Sequence, residues 1–211
     1  MLRIKINHNI RIMKKSLMAA AAGLAMIIAV SCSNNNKTTE TADSSMAMSD
    51  SSMTADTAIV ETAHCKISNT KSDTTGSALA TFTKNADGSI QMALDLDFPK
   101  MGGKSVAVHL HEHGDCGDEG KGAHGHWNPT GENHGKWGSA AYHSGDIGNI
   151  SLDASGKGSI QVSTDRWALG GSGKTNILGR AIIVHSGVDD YTTQPSGNSG
   201  SRIGCGVIMP N

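Results

Sequence analysis

The sequence predicts an all-β sandwich or barrel, and three observations carry that expectation. Short apolar stretches recur at even spacing between turn residues, and no segment repeats its apolar residues with a helical period. Gly is abundant, at 26 residues, while aromatics make up only 3% of the chain, a composition that suits many tight turns between short strands better than a helical bundle. The 211 residues allow one domain of ordinary size plus a tail. A formal net charge of -1 carries no footprint of nucleic-acid binding or of a polybasic membrane surface.

The N-terminus reads as a targeting segment. Met13-Lys14-Lys15 opens a basic region, residues 17–30 form a short apolar run ending in small side chains, and residues 1–31 together fit a secretory signal with Met13 as the expected start. That run is short for a spanning helix. Ala29-Val30-Ser31-Cys32 resembles a bacterial lipobox, in which Cys32 becomes the lipidated first residue of the mature protein, although Leu is commoner than Ala at its first position. An ordinary cleaved signal and a single membrane anchor are the alternatives. Residues 32–57 are Ser, Thr, Asn, Asp, Ala and Met without apolar period, so they are expected to form a flexible tether. Met46, Met48 and Met53 carry thioethers suited to copper(I), but they fit incidental members of a low-complexity linker better.

The domain is expected over residues 58–211, with strands at 59–67, 77–84 and 89–98. His64 reads as a surface residue near the first of these. Asn85-Ala86-Asp87-Gly88 has hairpin chemistry. Met101-Gly102-Gly103 then turns the chain into a strand that begins at Val106-Ala107-Val108 and carries His109 and His111. After a long loop, strands at 147–152 and 158–163 flank Asp153-Ala154-Ser155-Gly156 as a second hairpin, 177–185 is a strongly apolar strand, and a last strand begins near Gly204.

His109 and His111 are alternate residues of a strand and so share one face. Two imidazoles on a rigid sheet suit copper or zinc better than a hard cation that wants oxygen ligands. The stretch from His126 to Asp146 is rich in Gly, Asn, Pro and Ser, hence a loop able to fold back with His134, His143 and Asp146. A loose His-rich tract without chemistry is the bland alternative for His109 and His111 taken alone.

The full constellation resembles copper/zinc superoxide dismutase. The resemblance rests on His109-Leu110-His111-Glu112 through Gly114-Asp115-Cys116, on His126-Trp127-Asn128-Pro129 with His134, and on His143-Ser144-Gly145-Asp146-Ile147-Gly148-Asn149. A further block, from Gly197-Asn198-Ser199-Gly200 through Ser201-Arg202-Ile203-Gly204-Cys205, resembles the family's C-terminal signature, and the motifs run in order from about Cys65 to Met209. The resemblance implies an eight-stranded Greek-key barrel with a long metal-binding loop and a short electrostatic loop of bacterial form.

It also implies a copper ion held by His109, His111, His126 and His185, and a zinc ion held by His126, His134, His143 and Asp146. His126 would bridge both metals as an imidazolate and serve as a proton source once its copper bond is lost on reduction. Asp189 would link one copper His to one zinc His from outside the ligand sets. Arg202 would attract and orient the superoxide anion. Cys116 and Cys205 would form the family's disulfide, suited to an oxidising compartment, while Cys65 is left over as a small buried residue, with a reactive free thiol as the alternative. His113 and His124 have no ligand role in the pattern and read as loop residues. Ala107-Val108 departs from the Gly-Phe common before the first His of the family, so packing behind the copper site is expected to differ.

The expected function is therefore superoxide dismutation in the periplasm or cell envelope, with any membrane contact made through a lipid on Cys32. A homodimer is one assembly the resemblance allows. The alternative from another class is a non-enzymatic copper-binding or copper-delivery protein on the same barrel. Loss of copper ligands or of the guiding Arg would favour it, and none is missing.

Overall fold

The computed structural model describes residues 58–211. The expected signal at 1–31, the expected tether at 32–57 and the lipidation candidate Cys32 lie outside the described residues.

The strands are β1 (Thr62–Asn69), β2 (Ser77–Lys84), β3 (Ile90–Asp97), β4 (Ser105–His111), β5 (Gly148–Ser151), β6 (Lys157–Thr164), β7 (Ala181–His185) and β8 (Arg202–Pro210). They form one eight-stranded sheet in the order β5-β4-β7-β8-β1-β2-β3-β6 with antiparallel ladders throughout. Consecutive β1, β2 and β3 are neighbours, but the chain then crosses to β4, which lies between β5 and β7. A second crossing takes β6, beside β3, to β7. These Greek-key crossings curl the sheet into a nearly closed barrel, with the expected all-β architecture.

Alternation decides which side chains fill it. Ala63, Cys65 and Ile67 of β1, Ala80 and Phe82 of β2, and Ile90, Met92, Leu94 and Leu96 of β3 all point inward and are buried. Phe98, Leu110, Trp127, Trp167, Ile177, Ile182 and Ile208 complete the same core. Every residue of β4 after Ser105 is buried, because both of its faces are covered.

The Asn85 turn forms as expected: the Gly88 N–H donates to the Asn85 carbonyl at 2.9 Å and Asp87 Oδ1 accepts the Ser89 N–H at 2.9 Å. At Asp153 the outcome differs. The turn itself closes, with the Gly156 N–H on the Asp153 carbonyl at 3.0 Å, yet β5 pairs with β4 and β6 pairs with β3. The flanking strands therefore diverge instead of forming a hairpin, and they mark the barrel's open seam. Turn chemistry is local, whereas the choice of ladder partner is made by the whole sheet.

Two strand boundaries also move. The first strand starts at Thr62 instead of Ile59, which is exposed. The strand expected over 177–185 begins only at Ala181, since Asn176, Ile177 and Arg180 are held by turn hydrogen bonds. Short 3₁₀ turns at Pro99–Met101 and Lys121–Ala123 add structure that apolar period does not reveal.

Candidate metal centre

Three backbone hydrogen bonds assemble the site before any side chain is considered. The Leu110 N–H donates to the Gly145 carbonyl at 2.9 Å, the Gly145 N–H to Trp127 at 3.0 Å, and the Trp127 N–H to Leu110 at 2.9 Å. This closed ring pins β4, the start of the long loop and its end against one another. A side chain at Gly145 would strike the Leu110 carbonyl, so only glycine permits the approach. The loop is tied again by Arg166, whose Nη1 donates to Glu132 Oε2 at 2.7 Å and to the Tyr142 carbonyl at 3.1 Å.

Two groups of four donors result. His109, His111, His126 and His185 each offer one ligand atom, all lying within 4.8 Å of one another, and so do His126, His134, His143 and Asp146. All seven residues are buried, and His126 belongs to both groups. The residues singled out in sequence as two ligand sets thus meet as two adjoining clusters sharing one imidazole.

The free ring nitrogens give the arrangement its chemistry. His111 Nδ1 donates to the His124 carbonyl at 2.9 Å, and His185 Nδ1 faces the Gly200 carbonyl at 3.4 Å. Carbonyls accept only, so each ring is fixed in the tautomer that leaves Nε2 with a lone pair. Those Nε2 atoms have no partner, and neither do His126 Nε2 and His109 Nδ1. In the second cluster, His126 Nδ1 lies 2.9 Å from Asp146 Oδ1. His134 Nδ1 and His143 Nδ1 stand 2.9 and 3.3 Å from Asp146 oxygens without hydrogen-bond geometry, as donors gathered around a common point would.

Buried unpaired nitrogens are costly. A soft or borderline cation relieves that cost, and the donor sets, four imidazoles beside three imidazoles and a carboxylate, fit copper and zinc respectively.

Electrostatics agree with neutral imidazoles in the four-histidine cluster and an ionised carboxylate on Asp146. Burial holds His111 and His185 well below the usual His range, aided by mutual repulsion with neighbouring imidazoles, and lowers His126 to about 4. Burial opposes charge on Asp146, but hydrogen bonds from the His126 ring and from the backbone N–H groups of Gly135 and His143 keep its pKa below the ordinary carboxylate value.

Asp189 joins the clusters from behind. Its Oδ2 meets His109 Nε2 at 2.9 Å and its Oδ1 meets His134 Nε2 at 2.8 Å. Asn149 holds the Asp189 backbone, donating to its carbonyl and accepting its N–H, both at 2.8 Å. Gln194 brackets His134, accepting its N–H and donating to its carbonyl at 2.9 Å each. The sequence alone gives Asn149 no role and does not mark Gln194 or Arg166 as part of the site. Their partners are set by loop folding, and only the nearby Asp189 offered a cue.

Arg202, at the start of β8, lines one cavity with His111, His126 and His185. Its Nη1 and Nη2 donate to the carbonyls of Gly120 and His124. Cys116 and Cys205 are bonded at 2.03 Å, fastening the loop after β4 to β8, and Cys65 is free and buried. His64 stands apart, its Nδ1 2.6 Å from Asn211 Oδ1. His113 and His124 lie outside both clusters and, with Glu112, form a third, exposed group. Among the described residues no helix is long and apolar enough to cross a membrane.

The family described as copper/zinc superoxide dismutase (SODC) matches residues 74–208. Superoxide dismutase [Cu-Zn] 2 of Aquifex aeolicus is 41% identical over 107 residues, covering 49% of this chain and 63% of that protein. A superoxide dismutase-like protein of Bacillus subtilis is 38% identical over 113 residues, covering 52% of this chain and 58% of that protein. Superoxide dismutase [Cu-Zn] of Deinococcus radiodurans is 35% identical over 143 residues, covering 62% and 75%. The chain thus spans under two thirds of the first two relatives' length. Among solved structures, the clock protein EA4 aligns with a TM-score of 0.63 at 28% identity, covering 73% of this chain and 97% of that one. A double mutant of a SOD-like protein from Bacillus subtilis aligns with a TM-score of 0.60 at 31% identity, covering 69% and 96%.

Proposed function

Because the chain belongs to the copper/zinc superoxide dismutase family, we propose that it converts superoxide to dioxygen and hydrogen peroxide. The observation that carries this reading is the set of unpartnered, buried imidazole nitrogens in two clusters that share His126. His109, His111, His126 and His185 would hold copper, and His126, His134, His143 and Asp146 would hold zinc.

When bound, copper supplies the one-electron cycle that disproportionates two superoxide anions with two protons, while zinc, which has no redox change of its own, supplies charge and order. The chain's own residues supply the rest. Arg202 keeps N–H donors free beside the cavity after its two carbonyl bonds, and so can bind and orient a small anion. His126 lines that cavity, and its Nε2 can hold a proton for the departing peroxide. Its other nitrogen is kept on Asp146, so the ring cannot swing away. Asp189 orients His109 and His134 together, which couples the order of one cluster to that of the other.

We place the work outside the cytoplasm, where the Cys116–Cys205 bond can persist. Residues 1–31 would direct export, and a lipid on Cys32 would tether the domain to a membrane. Metal analysis of purified protein, with superoxide-dependent activity before and after copper loading, tests the assignment. Stoichiometric copper and zinc with copper-dependent activity is the expected result. Both metals bound without such activity would favour a copper-binding or copper-delivery protein.

A further inference from the structure

Glu112, His113 and His124 lie outside the two buried clusters, yet their ligand atoms also fall within 4.8 Å of one another. All three are exposed. The segment after β4 runs beside the 3₁₀ turn at Lys121–Ala123: the Glu112 N–H donates to the Gly125 carbonyl at 3.0 Å and the His113 N–H to Ala123 at 3.2 Å. That pairing brings the His113 and His124 rings edge to face with centroids 4.5 Å apart. Arg180 does not neutralise the group through an ion pair on its carboxylate side; it donates to the Glu112 carbonyl at 2.9 Å and lies over the Trp127 ring.

The chemistry of these donors is specific. Two imidazole nitrogens and one carboxylate oxygen suit copper(II) or zinc(II), whereas calcium and magnesium prefer oxygen alone. Three protein donors at the surface leave coordination positions open to water, so a bound ion can exchange. His124 adopts φ 62 and ψ -141, a region that glycine occupies readily and a side chain does not. The chain accepts that strain and places an imidazole there.

Position adds a role. Glu112 follows His111 directly and lines the same cavity as His111, His126, His185 and Arg202. The His124 carbonyl is the acceptor for His111 Nδ1. Glu112 thus brings one donor of the group to the cavity of the buried four-imidazole cluster, while His113 lines the neighbouring groove with Glu112 and Trp127, and the His124 backbone is bonded to His111.

We propose that Glu112, His113 and His124 form a third, exchangeable transition-metal site that captures copper beside the cavity, which Glu112 reaches, and passes it to His111. The transfer is a ligand exchange: the ion leaves the surface imidazoles as His111 Nε2 takes it, and its oxidation state is unchanged. The transfer rests on the reading of the inner cluster as a copper site; the surface site itself does not.

The test uses the full chain, with wild type compared to a His113→Ala, His124→Gly double variant. Glycine accepts the backbone conformation at 124 and keeps its carbonyl, so the variant should fold, which its melting curve checks. Protein already holding one equivalent each of copper and zinc is titrated calorimetrically with zinc(II), and separately with copper(II) followed by electron paramagnetic resonance. Wild type should bind one further, chelator-labile equivalent with imidazole hyperfine structure, and the double variant none. Zinc-loaded, copper-free protein is then mixed with substoichiometric copper(II); the variant should fill its inner site several-fold more slowly to the same final copper content. No further equivalent in wild type, or the same equivalent in the variant, overturns the site. A lost equivalent with an unchanged loading rate overturns the transfer. Surface binding in wild type with an inner cluster that never takes copper would instead sink the dismutase reading.

Discussion

Gly197 lies so close to Asp189 that a Cβ on it would sit only 1.8 Å from the carboxylate Oδ1, far inside van der Waals contact. The same Cβ would crowd His134 Nε2, and the Gly197 φ of +66 already disfavours any side chain. Asp189 can therefore reach both His109 and His134 only because position 197 is glycine. Gly197→Ala should push the carboxylate aside, costing about 1–3 kcal/mol from backbone strain alone. Zinc affinity should fall by roughly 10- to 100-fold, the usual scale for losing a group that orients a ligand. Competition with a chromogenic chelator reads the affinity and thermal melting reads the strain. Asp189→Asn, which keeps the shape but loses the charge, should weaken zinc without the backbone penalty. An unchanged zinc affinity in both variants would leave Asp189 without a coupling role.

The two clusters should fail differently. His134→Ala removes a donor from the loop cluster, so zinc and the order of the loop should go first, with copper retained. His111→Ala or His185→Ala should remove copper and abolish the redox cycle while zinc stays. His126→Ala should disturb both, since that ring belongs to both groups. Metal content by mass spectrometry, with amide exchange across residues 126–146, separates the cases. Equal zinc affinity in wild type and His134→Ala would contradict the ligand set.

The division between what sequence revealed and what it concealed follows physical range. Strand alternation placed His109 and His111 on one face, and the two Asp-containing turns were identifiable because their hydrogen bonds close within a few residues. Long-range pairing was not legible: nothing local in 147–163 says that β5 joins β4 while β6 joins β3. Three-dimensional loop contacts were hidden for the same reason. Gln194 looks like any polar loop residue until it brackets His134, 60 positions away. His124 reads as a bystander until its strained backbone sets it against His113.

Cys65 gives a prediction about alkaline pH. Burial pushes its thiol up to about 12, against an unfolded value of about 8.5. Folding thus holds the proton on. That contribution to stability is intact below about pH 8.5 and is lost progressively as pH rises toward 12. Cys65→Ala should flatten the decline relative to wild type in urea unfolding curves taken at successive alkaline pH values. A disulfide reagent at pH 8 should find Cys65 unreactive until the barrel unfolds. Prompt reaction in the native state would show that the thiol is not sealed.

The N-terminal reading is tested by fractionation. If Cys32 carries lipid, the mature protein should partition with membranes, and Cys32→Ser should release it or leave the signal uncleaved. Native protein that is wholly soluble and carries no acyl group by mass spectrometry would remove the lipid anchor while leaving export open.

Arg202 makes the most quantitative claim. Superoxide, the proposed substrate, is a small anion and the formal net charge is only -1, so its attraction would have to come from where positive charge sits. Among the residues lining the cavity with His111, His126 and His185, Arg202 is the only Lys or Arg, whereas Glu112 and Glu132 contribute carboxylates. The short segment from Asp190 to Arg202 supplies no Lys. Metals bound in the clusters would add to this field. Superoxide dismutases are an established example of such steering, which in general raises on-rates by roughly 10- to 1,000-fold and is screened over about 10 Å at moderate ionic strength. Arg202→Ala should lower the second-order rate by about 10-fold, the lower end of that range, and flatten its salt dependence. Arg202→Glu should lower it further, with copper content unchanged in both. Arg202→Lys keeps the charge without the planar fork that engages two carbonyls, so it should restore the salt slope more fully than the rate. Stopped-flow measurement across a salt series distinguishes these outcomes. If charge reversal leaves both rate and slope alone, Arg202 serves only to hold the carbonyls of Gly120 and His124.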